Sequence, residues 1–311
     1  PTPTPSPTPT APIVTTKLPG VDAEIFEAAT DPIALTYYDV TDKSKDTWVN
    51  YPRDGRNGEF TRSTKYWMQY ISPDGTIAAG RNRNYTTDNY HALDVITRAT
   101  GARKSIKIAK QPLTYDYAEW SRSGNLLLLS LVNPSGEVWT TKGFVVVDIA
   151  AGRATTRQIN DPAIKNGRFY WSPDQAALVV SYEDGDSKGL RYYNFQGEVV
   201  RTIPDVGEPA NTSGGLFSPS GDRFVTACAG QTSGTCVWNT ADGTASTRFS
   251  SDCTNVLGWW DDQHLYCWTS PQNGVDEVNV VDLTGVAVRK LLESSDTKNS
   301  VVPYFSRTGN G

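Results

Sequence analysis

The residues of this chain whose types could do chemistry are few: two histidines, four cysteines and some paired carboxylates. His91 and His264 cannot form an imidazole cluster, so metal chemistry through histidine is nearly excluded. His91 sits in a strand-like run and His264 follows a tight turn, so each reads as an ordinary structural residue. Glu183-Asp184-Gly185-Asp186 offers several oxygens on one loop, as calcium requires, but lacks the further ligands of a calcium loop and reads as an exposed acidic turn. No Gly-x-Ser-x-Gly elbow is present. Thr212-Ser213-Gly214-Gly215 lacks the lysine and the helix of a phosphate loop. Nothing points to two carboxylates set across a glycosidase pocket. The expectation is a chain with no catalytic residue, no metal and no cofactor.

The cysteines lead further. Cys228 and Cys236 flank one short loop, and Cys253 and Cys267 flank a turn in the next stretch. Three pairings are possible, of which the local one is geometrically easiest. The alternative is buried free thiols. Zinc is disfavoured because no paired Cys-x-x-Cys knuckle exists. Disulfides would imply an oxidising compartment and an extracellular or cell-surface location.

What must position these residues is a repeat. An apolar residue, then serine, then a tight turn recurs as Ile71-Ser72-Pro73-Asp74-Gly75, Trp120-Ser121-Arg122-Ser123-Gly124, Trp171-Ser172-Pro173-Asp174-Gln175 and Phe217-Ser218-Pro219-Ser220-Gly221. Two degenerate copies follow, Trp259-Trp260-Asp261-Asp262-Gln263 and Phe305-Ser306-Arg307-Thr308-Gly309. A fixed period of about 46 residues signals a repeat architecture, and one period holds about four short strands of 5–6 residues with their turns. Asp94, Asp148, Asn194, Asn239 and Asp282 each end a strand-like run before a glycine turn, the chemistry of a hairpin. Apolar runs such as Leu126–Leu129 are those of strands buried on both faces.

Such units bury their faces only against one another, which predicts an all-β, six-bladed β-propeller of four-stranded blades. The aromatic before each serine is expected to plug the space between blades. The sixth blade is split: its opening phrase lies at Val301–Gly309, and its closing half at Ala34–Asp39 and Thr47–Tyr51. The ring is therefore expected to close by N-terminal strands pairing with the C-terminal strand, which removes free edges.

Residues 1–12 alternate proline with threonine or serine and favour an extended spacer, so residues 1–20 are expected as a stalk and 21–311 as a single propeller domain. The spacer suggests a fragment of a longer chain. No run of 18 apolar residues occurs, so any membrane attachment is expected through a segment outside these residues. With 29 basic and 34 acidic residues interspersed, no electrostatic footprint for nucleic acid or an anionic membrane is visible.

The unequal segments are where function is expected, because loops on a rigid scaffold carry it. The longest predicted loops are Gly80–Asn89 and Leu131–Lys142. Arg81, Arg83, Tyr85, Trp139, Tyr182 and Trp268 are the expected ligand-binding set, being of the types enriched at binding hot spots; simple packing under long loops is the alternative.

The phrase Trp171-Ser172-Pro173-Asp174, followed by an apolar strand and then a strand ending in an acid such as Asp148 before glycine, resembles the TolB-type, WD40-like propeller repeat over residues 31–311. Arg122, Arg307 and Trp260 depart from the pattern. The Thr/Pro spacer before the propeller also resembles the extracellular half of actinobacterial membrane-anchored serine/threonine kinases. The resemblance implies a non-catalytic sensor module binding an extracellular ligand or protein. A secreted lyase or glycosidase acting on carbohydrate, or a structural interaction scaffold, are the alternatives.

Overall fold

The computed structural model describes residues 11–45, 47–135, 138–210, 214–228, 234–269 and 274–308. The described residues form antiparallel strands with one short 3-10 turn, Pro162–Ile164, and no α-helix. The architecture is a six-bladed β-propeller built on a four-stranded blade plan. By contacts the chain divides into two compact units, residues 65–208 and the combination of 1–64 with 209–311.

Residues 65–208 hold three complete blades. Blade I is Tyr66–Ile71, Ile77–Tyr85, Tyr90–Thr97 and Ala102–Lys110. Blade II is Thr114–Trp120, Leu126–Ser135, Val138–Asp148 and Arg153–Gln158. Blade III is Phe169–Trp171, Leu178–Asp184, Ser187–Tyr193 and Val199–Ile203. The segments read as long loops are mostly strand. Gly80–Tyr85 continues the second strand of blade I, and Leu131–Ser135 pairs with Val138–Gly143 in an extended hairpin of blade II. The predicted loops carry polar residues because the hairpin tip is solvated on both faces, and composition cannot separate a solvated strand from a loop. Gly143, at φ +144°, sits where the register shifts; a Cβ there would lie 2.0 Å from the Arg157 carbonyl oxygen.

The other unit holds blades IV to VI. Blade IV is Arg223–Ala227, Thr235–Asn239 and Ala245–Phe249, with Phe217 bridging Phe224 in place of a full first strand. Blade V is Cys253–Asp261, His264–Thr269, Asp276–Asp282 and Ala287–Ser294. Blade VI is the split one. Its first strand, Asn299–Arg307, pairs along its whole length with Ile33–Asp42, which pairs in turn with Thr47–Pro52. Residues 59–63 complete it irregularly: Asp54 N–H donates to the Glu59 carbonyl and Thr61 N–H to that of Pro52. The expected closure by the two ends of the chain is thus formed.

One feature escaped the repeat pattern. Ala23–Ala28 pairs with the last strand of blade V, and Ile13–Lys17 pairs with Ala23–Ala28, extending that sheet to six strands. The 13–17 part of the expected 1–20 stalk is therefore strand. Asp31, at the end of this hairpin, holds it down through a buried two-point ion pair with Arg289.

The repeat serines act locally. Ser72 Oγ accepts from Ile77 N–H at 2.9 Å and donates to Asp74 at 2.6 Å; Ser172 does the same with Ala177 N–H and Asp174. Each buried hydroxyl thereby closes the turn between the first and second strands. Where Trp260 replaces serine, Asp261 accepts from Gln263 N–H at 2.7 Å, the counterpart of the Asp74 bond from Thr76 N–H rather than of the serine bond. The preceding aromatics behave as expected at three copies: Trp171, Trp259 and Phe305 are buried in clusters drawn from two adjacent blades. Trp120 and Phe217 are only half-buried.

Candidate functional site

Both cysteine pairs form local disulfides, Cys228–Cys236 within blade IV and Cys253–Cys267 within blade V. Each clips two neighbouring strands. Two disulfides fit an oxidising compartment.

The histidines are structural. His91 is buried and spans two blades, with Nε2 2.8 Å from the Asn82 carbonyl oxygen and Nδ1 against the Thr114 hydroxyl. A carbonyl only accepts, so Nε2 carries the proton and Nδ1 accepts from Thr114. Burial, and secondarily the Arg81 charge, push the His91 pKa down, keeping it neutral. His264 is buried with Nδ1 2.8 Å from Asp261. Among the described residues no group of three His, Cys, Asp or Glu is placed to hold a metal ion.

The six residues expected at a ligand site separate into several environments. Arg81 lies in the second strand of blade I and is buried at 8% exposure. Its Nη1 donates to Asp116 of blade II at 3.1 Å, and its guanidinium lies 5.7 Å from the Trp139 ring centre and 5.4 Å from that of Tyr115. Trp139, at the tip of the blade II hairpin, remains 44% exposed. Tyr85 joins this group through His91, at 5.1 Å between ring centres, and its hydroxyl donates to the Leu113 carbonyl at 3.4 Å. Arg83 faces Trp67 instead, at 4.7 Å. Tyr182 is buried in blade III under Arg191, at 4.4 Å, beside an Asp161–Arg191–Tyr193 network. Burial opposes ionisation of Asp161, but hydrogen bonds from Tyr193 and Arg191 outweigh it and hold its pKa low. Trp268 belongs to the other compact unit, half-buried against the core of blades V and VI.

Arg81, Tyr85 and Trp139 are therefore brought together, while Arg83 and Tyr182 serve separate contacts. Beside this group stands a constellation that motif reading missed. The first strand of blade II bulges at Tyr117, which adopts φ +49° and is 50% exposed. A bulky residue at positive φ costs on the order of 1–3 kcal/mol, and such strain clusters at functional sites. Arg168 of blade III lies 5.4 Å from the Tyr117 ring centre and 4.7 Å from that of buried Tyr170. Glu119, two residues on, accepts from Trp171 N–H at 2.9 Å through Oε2, and its carbonyl accepts from Trp171 Nε1 at 3.0 Å. Oε1 has no hydrogen-bond partner among the described residues. Burial raises the Glu119 pKa to about 7, with the Trp171 N–H and Arg168 pulling the other way. In the sequence Asp116, Tyr117 and Glu119 are merely polar or aromatic residues just before the Trp120 copy of the repeat phrase.

Glu119 carries a pH consequence. A carboxyl whose pKa is higher folded than unfolded contributes stability below its unfolded value, and that contribution is lost as pH rises through the folded one. Stability is thus expected to fall between about pH 4.5 and 7 from this group. At ~1.4 kcal/mol per pKa unit the loss is at most on the order of 3 kcal/mol. Glu119→Gln keeps the acceptor for Trp171 and should flatten that limb in urea-melting curves; an unchanged pH profile would show that Glu119 does not titrate there.

The fold and this arrangement define a TolB-like six-bladed propeller with an aromatic and arginine surface. Among solved structures the chain is similar to TolB from Acinetobacter baumannii, with TM-score 0.58, 15% identity, and 91% of this chain and 68% of that one covered. A hydrazine synthase from Kuenenia stuttgartiensis gives TM-score 0.46 at 16% identity, covering 89% and 79%. A TolB candidate from Agrobacterium tumefaciens gives 0.47 at 12%, covering 88% and 99%. At these identities the likeness is one of fold. No protein-family model and no curated protein matches the sequence.

Proposed function

We infer that this chain is a non-catalytic recognition module that binds an extracellular ligand or protein. The observation that carries the reading is the exposed Trp139 ring over the buried Arg81 guanidinium, which pairs with half-buried Asp116, a rigid aromatic anchor held by an ion pair that crosses two blades. Aromatic and arginine side chains of this kind dominate binding energy when they are fixed in advance. Around Trp139 the hydrogen-bonded His91, the Arg81–Asp116 ion pair and the tilted rings of Tyr85 and Tyr115 engage one another, an arrangement suited to holding shape. The disulfides support an extracellular or cell-surface setting.

Within this reading the propeller is the sensor of a membrane receptor such as a serine/threonine kinase, supported by the Thr/Pro spacer and the propeller fold. The coding sequence upstream of residue 1 tests that part: a membrane span preceded by a kinase supports it, and a cleaved signal peptide alone overturns it. Recognition itself is tested by Trp139→Ala against ligands captured from a panel of extracellular proteins and glycans. The exposed ring can be removed without opening a core, so the variant should melt like the parent and bind at least tenfold more weakly, about 1.4 kcal/mol. Unchanged affinity would remove Trp139 from the site.

A further inference from the structure

Asp116, which pairs with Arg81 beneath Trp139, is the residue preceding the Tyr117 bulge. The two exposed rings share a design. Trp139 has the Arg81 guanidinium on it, and Arg81 is neutralised by Asp116. Tyr117 has the Arg168 guanidinium on it, and Glu119 lies close enough for Arg168 to act on its carboxyl electrostatically. Each cation is thus matched by a carboxyl, and each aromatic keeps much of its surface open.

This charge pattern selects a ligand class. A cationic ligand would seek the Tyr117 ring by cation–π attraction, but Arg168 already holds that ring and repels it. An anionic ligand would meet Asp116 and Glu119. The ligand that meets neither penalty is uncharged, offers a flat apolar face to a ring, and carries hydroxyl groups at its edge. Those hydroxyls can donate to the half-buried Glu119 carboxyl, whose Oε2 is engaged by Trp171 N–H, and exchange hydrogen bonds with the Tyr117 hydroxyl. The positive φ at Tyr117 projects a half-exposed ring toward Arg168 rather than into the core.

We propose that Tyr117, Arg168 and Glu119 form a binding site for an uncharged glycan chain, with Tyr117 as its stacking platform. The proposal rests on the recognition reading above and names the ligand chemistry of that surface. Tyr117 binds by stacking one sugar ring, and Trp139 takes a further residue of the chain. Glu119 is an acceptor for ring hydroxyls, held in place by Trp171 N–H.

The experiment is calorimetric titration of the whole chain with three neutral tetrasaccharides, chitotetraose, cellotetraose and maltotetraose. Tetragalacturonate and a chitosan tetramer serve as anionic and cationic counterparts. The expected result is saturable binding of at least one neutral probe with Kd below about 1 mM, and weaker binding of both charged ones. Tyr117→Gly removes the ring and relieves the positive φ, so it should melt no lower than the parent. It should weaken the neutral probe at least tenfold, and Glu119→Gln should weaken it several-fold. Tyr117→Phe should retain most of the affinity. Three outcomes would each overturn the proposal: no neutral probe binds, only a charged probe binds, or Tyr117→Gly binds unchanged. If a protein ligand is lost in Trp139→Ala while no neutral glycan binds, recognition stands and the glycan assignment alone fails.

Discussion

Deletion of residues 301–311 is expected to lower the melting temperature by more than about 10 °C or to abolish folding. The deletion removes most of the first strand of blade VI, which pairs from Val301 with Val40 to Arg307 with Ile33. Buried Val301 and Phe305 leave the core shared with blade V, each worth roughly 1.5–3 kcal/mol. Tyr304 no longer stacks on Tyr37, now at 4.3 Å, and Arg307 no longer donates to the Trp259 and Trp260 carbonyls at 2.8 and 3.1 Å. The larger cost falls on what stays behind, since Ile33–Asp42 loses its ladder on one side, and buried backbone groups without partners cost ~1–3 kcal/mol each. The sum is comparable with the whole stability of an ordinary domain, ~5–15 kcal/mol. Calorimetry decides; a truncated chain that melts like the parent would show that the ends do not close the ring.

The second large effect is expected at Arg289. Its two terminal nitrogens donate to the two oxygens of Asp31, the pair is buried, and its guanidinium lies 4.9 Å from the Trp260 ring centre. Asp31 also accepts from Ala28 N–H at 2.7 Å, so this carboxylate fixes the turn after the N-terminal hairpin. Arg289→Met keeps the volume but leaves Asp31 charged and buried without its partner. Breaking one side of such a pair costs about 3–5 kcal/mol. The double variant Asp31→Asn with Arg289→Met removes the stranded charge and should recover at least half of that loss. Urea melts of the parent, the single variants and the double variant test this. If Arg289→Met melts within ~1 kcal/mol of the parent, the hairpin is not held by this pair.

Much of the fold was legible because it is local. A turn needs Pro, Asp or Gly within four residues, and a hairpin pairs strands a few residues apart, so the period of Ser72, Ser121, Ser172 and Ser218 exposes the blade. The cysteines were legible for the same reason, being 8 and 14 residues apart across neighbouring strands. Trp260 in place of serine looked like a defect, yet the turn keeps an aspartate bond, Gln263 N–H to Asp261, of the kind Asp74 makes with Thr76 N–H. The hairpin of Ile13–Lys17 and Ala23–Ala28 was not legible, because its partner strand, Ala287–Ser294, lies at the far end of the chain.

The candidate site shows the same division more sharply. Residue type was enough to nominate Arg81, Tyr85 and Trp139, since arginines and aromatics outside the repeat phrase have no assigned packing role. It could not foresee that Tyr182 is buried beneath Arg191, because exposure is not a property of residue type. It passed over Tyr117 and Glu119 altogether. A bulge is visible only when two strands are paired, and the Glu119–Trp171 contact joins residues 52 apart in sequence.

The sequence by itself determined the repeat and the blade, because each follows from turn chemistry and strand period over short spans; it favoured the local cysteine pairing, and the split repeat pointed to closure by the two ends. Only the tertiary structure decided which side chains meet across blades. That choice depends on register and on the stacking of one blade against the next, so it placed Arg81 under Trp139 and Arg168 over Tyr117, and set the Glu119 carboxyl against Trp171 N–H.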